Sequence, residues 1–273
     1  MHTSCSWKPS SLSKKPSIRR ITVLPGSLIS SPSKKSDFRH TSLHQANVSM
    51  AAQQRTSSSE AARWEGMWSA GLKPGDAFDA ARVEPALASA IALDDASKLD
   101  PPLGMSRASE MTALVPGCGR GYAVAALAKM DRFKHATGLE ISPTAQKACE
   151  DYLKQEGVQS KASVVVGDFF THETQYNLVY DCTFLCAIPP SMRESWADQM
   201  SKIVAPGGEL FQIVFPINES RDANVGPPFA LSKSLVEGLL VPRGFTLVSY
   251  GASEQAARKA PGAEAVARWR RHE

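Results

Sequence analysis

Long apolar runs are missing from this chain. No window of its 273 residues approaches the roughly 18 to 20 consecutive apolar residues that a membrane-spanning helix needs, so a soluble protein with no membrane partner is expected. Cysteine is sparse: Cys5, Cys118, Cys149, Cys182 and Cys186 are too few and too scattered for a disulfide framework. No C-x-x-C pair, H-E-x-x-H run or His/Cys cluster suggests a metal site. Cys182 and Cys186 fall on and just beyond a strand-like apolar run, where small core residues are the commoner outcome than metal or redox chemistry. Acid is almost absent from the first 59 residues, which hold nine Lys/Arg against the single Asp37, a balance of +8. Since the whole chain is +4, the remaining 22 basic and 26 acidic residues make its body −4. A mildly acidic body gives no electrostatic indication of a nucleic-acid partner.

What the first 59 residues do contain is Ser, Lys, Arg and Pro without a sustained apolar pattern. Organelle transit peptides have this composition because they stay unfolded and cationic for import. A chloroplast or mitochondrial destination is therefore expected, with a disordered tail on a cytoplasmic protein as the alternative. A secretory signal would need an apolar block of about 7 to 15 residues, and the run from Ile21 to Leu24 is cut by Pro25 and Gly26. Met50, followed by two alanines, fits an internal start or a nearby processing point.

From Glu60 the pattern changes, and residues 60–273 read as one domain: a cap over 60–105 and a core over 106–273. Residues 61–70 have helical spacing, with Trp64 and Trp68 at i and i+4 on one face. A turn from Gly71 to Gly75 leads to Phe78, and a second helix is expected from Pro85 to Leu93. Strand and helix then alternate. Strands are expected at Met111 to Val115, Ala136 to Leu139, Ala162 to Val166, Tyr176 to Phe184, Glu209 to Phe215, Phe245 to Tyr250 and Ala265 to Arg270. Helices are expected at Gly121 to Met130, Pro143 to Gln155, Pro190 to Val204, closed by Pro206-Gly-Gly208, and Ser232 to Leu240. The alternation predicts a Rossmann-like α/β fold, a mostly parallel seven-stranded sheet with helices on both faces.

The densest local signal is Val115-Pro-Gly-Cys-Gly-Arg-Gly121, where the first strand hands over to a helix. Glycines at 117, 119 and 121 allow a tight turn and a ligand's close approach to the backbone. Glu140 ends the second strand about 20 residues on, where a carboxylate can accept both ribose hydroxyls of an adenosine. Asp168 ends the third, where an acid can take the adenine amino group while Phe169 packs on the base. A solvated strand-end charge is the plainer reading of each acid. A dinucleotide fingerprint would require glycine at position 122; that residue is Tyr122. S-adenosyl-L-methionine carries no phosphate, so a tyrosine is tolerable for it, and an S-adenosylmethionine-dependent methyltransferase is preferred over a dehydrogenase.

Five stretches sharpen this: Trp64-Glu-Gly-Met-Trp68, Leu114-Val-Pro-Gly-Cys-Gly-Arg-Gly-Tyr122, Gly138-Leu-Glu-Ile-Ser142, Gly167-Asp-Phe-Phe170 and Asp181-Cys-Thr-Phe-Leu-Cys-Ala-Ile188. With them the chain resembles the thiopurine S-methyltransferase superfamily, and within it the halide/thiol (thiocyanate) methyltransferase branch, from about Arg63 to Arg270. The resemblance implies a class I S-adenosylmethionine-dependent methyltransferase fold with an N-terminal helical cap. It implies that Trp64 and Trp68 close over the cofactor, and that Phe78 stands where members often have a third tryptophan. Gly117 and Gly119 would line the methionine end, Glu140 the ribose, and Asp168 with Phe169 the adenine. Asp181 is a candidate to hold the substrate-side loop or the cofactor's amino group, with loop capping as the alternative. The family often has Asp at the position of Glu140 and Tyr at that of Cys182.

Methyl transfer from a sulfonium to a soft nucleophile cancels charge, and thiolates or halides need little help from a base. No catalytic acid or base is therefore assigned, and positioning of the reacting atoms about 3 to 3.5 Å apart is the protein's task. Phe184, Leu185 and Ile188 are the expected substrate wall, facing a Pro/Gly-interrupted loop from Phe215 to Phe229 that reads as a lid or as a plain crossover. Arg193, Arg268 and Arg270 are candidates for attracting an anion, although arginines more often carry solvated surface charge. The expected activity is methylation of a small thiol, thiocyanate or halide by a monomer. Alternatives are S-methylation of a thiopurine or of a thiol- or thioether-bearing organic acid and, from other classes, a dehydrogenase or a non-catalytic cofactor binder. Glu140→Ala is expected to weaken cofactor binding by about 1 to 3 kcal/mol as a charge-assisted contact is lost; an unchanged dissociation constant in titration calorimetry would remove Glu140 from the site.

Overall fold

The computed structural model describes residues 58–222, 224–252 and 263–273. The basic, Ser-rich segment with its expected import role, and Cys5 and Met50 with it, lie outside the described residues. Helix α1 spans 58–69 and α2 Pro85–Asp95. There follow β1 (Met111–Pro116), α3 (Tyr122–Ala128), β2 (Phe133–Glu140), α4 (Pro143–Gln155), β3 (Ala162–Val166), β4 (Tyr176–Cys182), α5 (Arg193–Ile203), β5 (Val204–Val214), α6 (Lys233–Leu240), β6 (Phe245–Ala252) and β7 (Ala265–Arg271).

The strands form one sheet in the order β3-β2-β1-β4-β5-β7-β6. β1 pairs in parallel with both β2 and β4, whereas β7 runs antiparallel to β5 and β6. The chain therefore leaves β1 toward one edge and returns to β4 on the other side, which opens a crevice at the carboxyl ends of these strands, the usual ligand position in such sheets. β1 is buried on both faces, which is why its sequence is apolar but for Thr112 rather than alternating. On one face Ala113 and Val115 belong to the core cluster with Leu87, Val124, Leu127 and Cys149; on the other Leu114 belongs to the cluster with Trp196, Met200 and Leu239. In α4, Ser142 caps the N-terminus by accepting the Ala145 N–H at 3.0 Å, Pro143 starts the first turn, and Ala145, Cys149 and Leu153 face the core at i, i+4 and i+8.

Three of the departures from the expected element boundaries have a clear physical cause. β2 starts three residues early, because Met111 of β1 already pairs with Phe133. β4 stops at Cys182 rather than Phe184, because Thr183 adopts φ +61° and leaves the extended region. Pro206-Gly-Gly208, expected as a helix stop, lies inside β5. Tyr176 pairs with Val204 and Leu178 with Glu209, so the extra residues bulge out, and Gly207 at φ +71° supplies the turn.

The cap is tied to the sheet by a buried ion pair. Arg268 donates to both carboxylate oxygens of Glu209, at 2.5 and 2.9 Å, and to the carbonyls of Pro101 and Pro102. Glu209 also accepts the Gly104 N–H at 2.6 Å. Arg268 is thus a strut and not an anion attractor. Breaking such a pair on one side leaves an uncompensated buried charge, and Arg268→Ala is expected to cost about 3 to 5 kcal/mol of stability. Urea unfolding checks this; a loss below about 1 kcal/mol would show that the strut carries no weight.

Candidate active site

At the tip of β1 the loop Gly117–Gly121 turns back across the crevice. Gly117 sits at φ +58°, and a Cβ there would lie 2.7 Å from the Phe184 ring, so both backbone and space demand glycine. Parallel pairing of β1 with β2 brings Glu140 beneath this loop. Its Oε2 accepts the Gly119 N–H at 3.0 Å, and its Oε1 accepts those of Ile141 and Ser142 at 2.9 and 3.2 Å. Burial raises the Glu140 pKa, and the three N–H partners oppose it. Just past β3, Asp168 caps a short 3₁₀ turn by accepting the Phe170 N–H at 2.9 Å. Phe169 packs edge-to-face on Phe184 and Phe170, with centroids 4.9 and 5.3 Å away.

The cap covers this crevice. Trp64 and Trp68 project from one face of α1 and hold Phe78 edge-on at 5.4 and 6.0 Å. The Arg120 guanidinium lies over the Trp68 ring at 5.2 Å. Arg120 Nε donates to Asp79 at 2.8 Å, its Nη2 donates to the Leu72 carbonyl at 3.0 Å, and the Tyr122 hydroxyl donates to Asp79 at 3.0 Å. Burial, and then the Asp79 carboxylate, push the Tyr122 pKa up to about 12. The residue that stands where a dinucleotide fingerprint has glycine therefore ties the glycine loop to the cap.

Trp64, Trp68, Phe78, Gly117, Gly119, Glu140, Asp168, Phe169, Phe184 and Ile188 all line this one cavity. Two residues expected in the site do not. Leu185 is 1 % exposed and packs into the core cluster around Trp196, because the 3₁₀ turn Leu185–Ala187 directs it inward. Asp181 is equally buried, and its Oδ1 accepts the N–H groups of Phe184 and Leu185 at 3.3 and 3.2 Å. It holds that turn, as the capping alternative expected, and is not among the residues that line the cavity. Cys182, Ala187, Pro189 and Met192 complete the wall instead.

None of the described residues of the 215–229 loop lines the cavity. The loop is pinned behind the wall, with the Phe229 N–H donating to Cys186 O at 2.7 Å, so the covering element is the cap and not this loop. Arg193 is buried and donates to the Ala230 carbonyl, and Arg270 is exposed and away from the cavity. Sequence reasoning missed Asp79, Arg120, Tyr122 and Met192 in the lining. For Arg120 the signal was available, as it sits between two glycines of the loop; Asp79 and Met192 are brought in by tertiary packing alone.

A doubly wound sheet with an antiparallel β7, and a glycine loop flanked by strand-end acids, define a class I S-adenosylmethionine-dependent methyltransferase. Solved structures share the fold: magnesium protoporphyrin IX methyltransferase from Synechocystis PCC 6803 with bound SAH (TM-score 0.53, 12% identity, covering 68% of this chain and 82% of that one), and N-methyltransferase NodS from Bradyrhizobium japonicum WM9 with S-adenosyl-l-homocysteine (TM-score 0.50, 19% identity, 69% and 87%). The profile of the thiopurine S-methyltransferase (TPMT) family matches residues 59–271, and the chain belongs to that family. It is 37% identical over 210 residues to a probable thiol methyltransferase 2 of Arabidopsis thaliana, and 37% identical over 214 residues to thiocyanate methyltransferase 1 of Brassica oleracea, covering 76% of this chain and 84% of the relative in both cases. A thiopurine S-methyltransferase of Vibrio campbellii is 29% identical over 143 residues, 48% of this chain and 64% of that protein.

Burial pushes the Asp181 carboxyl up to about 7, against the Leu185 and Phe184 N–H bonds that favour its charge. Because the folded value lies above the unfolded one, the stability this group contributes is complete below about pH 4 and is lost as pH rises through about 7. The stability of the wild type relative to Asp181→Asn is expected to fall by roughly 4 kcal/mol between these limits and then level off. Urea denaturation of both proteins across that range is the measurement; a flat difference would contradict a neutral, buried Asp181.

Proposed function

We propose that this methyltransferase moves the methyl group of S-adenosyl-L-methionine onto a small, soft nucleophile: a thiol, thiocyanate or halide. The observation that carries the reading is the wall beyond Gly117, where Cys182, Phe184, Ile188, Pro189 and Met192 enclose an apolar end of the cavity. Such a surface strips water from an anion that needs no base, and removing its hydration shell favours attack. The cavity suits the cofactor, since the backbone of the glycine loop, the acids Glu140 and Asp168 and the rings of Phe169, Trp64 and Trp68 line one space. Bound there, the cofactor supplies an electrophilic methyl on a sulfonium.

The chain's own residues then bind and orient. Glu140, held by three N–H bonds, would accept a ribose hydroxyl at its remaining lone pair. Asp168 would take the adenine amino group, Phe169 would pack on the base, and Trp64, Trp68 and Phe78 would exclude water from above. The names of the plant relatives support the acceptor class. The composition of residues 1–59 supports an import segment for chloroplast or mitochondrion.

Transfer of radiolabelled methyl is the test, with iodide, thiocyanate, hydrosulfide, organic thiols and a thiopurine assayed side by side. Methylation of at least one of the small nucleophiles is expected to exceed that of the thiopurine. Transfer to the thiopurine or to a thiol-bearing organic acid alone would overturn the acceptor assignment while leaving the cofactor in place.

A further inference from the structure

Glu65 stands between the two tryptophans of α1 in sequence, yet its carboxylate turns toward α4. Oε2 accepts the Ser142 hydroxyl at 2.6 Å and the Thr144 N–H at 3.2 Å, and Oε1 accepts the Thr144 hydroxyl at 2.6 Å. A carboxylate seated on the first turn of a 13-residue helix also meets the positive end of its dipole. These bonds, Ser142 foremost, lower the Glu65 pKa. Ser142 is shared: the residue that donates its hydroxyl to Glu65 donates its N–H to Glu140 Oε1 at 3.2 Å and caps α4. Glu65, Ser142 and Glu140 thus form a relay from the covering helix to the carboxylate beneath the glycine loop. Arg63, the neighbouring charge on α1, pairs with Glu60 inside the helix at 2.9 Å and docks it on nothing else in doing so.

We propose that Glu65 is a positioning residue for the cofactor: by latching α1 to the N-terminus of α4 it keeps Trp64 and Trp68 closed over the cavity and, through Ser142, keeps Glu140 aimed into it. A helix of about 12 residues is marginal in water without tertiary contacts, so the loss of its polar dock acts on the closed state first. The inference rests on the cofactor occupying this cavity.

Titration calorimetry of the full chain with S-adenosylhomocysteine tests it, together with the rate of tryptic cleavage after Arg63, which reports how firmly α1 is docked. Glu65→Ala is expected to weaken binding about 5- to 20-fold, and Thr144→Val, which keeps the Ser142 bond, about 2- to 5-fold. Glu65→Gln, whose amide oxygen can still accept one hydroxyl, should fall between wild type and Glu65→Ala. The ligand should slow cleavage after Arg63 strongly in the wild type and weakly in Glu65→Ala. Binding by Glu65→Ala within about 2-fold of wild type, with equal protection after Arg63, would overturn the latch. If that variant does not fold, unchanged binding by Thr144→Val would overturn it instead. A wild type that binds no S-adenosylhomocysteine would sink the cofactor reading itself, a result separate from the comparison of variants.

Discussion

The hydrogen bond from the Gly119 N–H to Glu140 joins the tips of two neighbouring strands, and the active site is arranged around it. A carboxylate this deeply buried is tolerated only when its oxygens are satisfied, and three backbone N–H groups do so. In return the bond holds the glycine loop in its left-handed conformation and keeps the loop against β2. Parallel pairing that sets Val115 beside Gly138 and Pro116 beside Leu139 is what lets residues 21 apart in sequence meet. Phe169, Phe184 and the covering tryptophans then pack around a loop whose shape is already decided.

Around that centre the chain divides its polar contacts between two tasks. One set, Arg268 with Glu209 and Arg132 with Asp94, ties α2 and the segment that follows it to the sheet, outside the cavity lining. The other set, Asp79 with Arg120 and Tyr122, together with Glu65 on the first turn of α4, fastens the covering elements at the cavity's edge. Of the two, only the second reaches the cavity lining, through Asp79, Arg120 and Tyr122.

The apolar end of the cavity fits a chemistry in which charge is cancelled rather than created. An enzyme joining a sulfonium to a soft anion gains from orientation and dryness, and aromatic and aliphatic side chains provide both. Asp181 shows the same economy of charge: directly behind the wall, burial pushes the carboxyl that holds a turn up toward its neutral form.

The class of fold and the cofactor end of the site were legible in the chain because both are encoded locally. Alternating strand and helix periods, the glycine spacing and an acid at a strand end are short-range patterns, and Gly117, Glu140, Asp168 and the α1 tryptophans stand on them. Misreadings occurred where a longer-range contact outweighed the local one. Pro206-Gly-Gly208 reads as a helix stop but is drawn into β5 by its pairing with β4, and Thr183 ends a strand that composition would extend. Asp181 and Leu185 belong to the right stretch of sequence, yet a single 3₁₀ turn sends one to cap it and the other into the core. By itself, then, the sequence determined the sheet, the glycine loop and the acids beside it. Only the tertiary structure decided which side chains wall the acceptor end and which carboxylates latch the cap, because those contacts join residues some 40 to 80 apart, such as Asp79 with Arg120 and Glu65 with Ser142, and nothing local to either partner foretells the other.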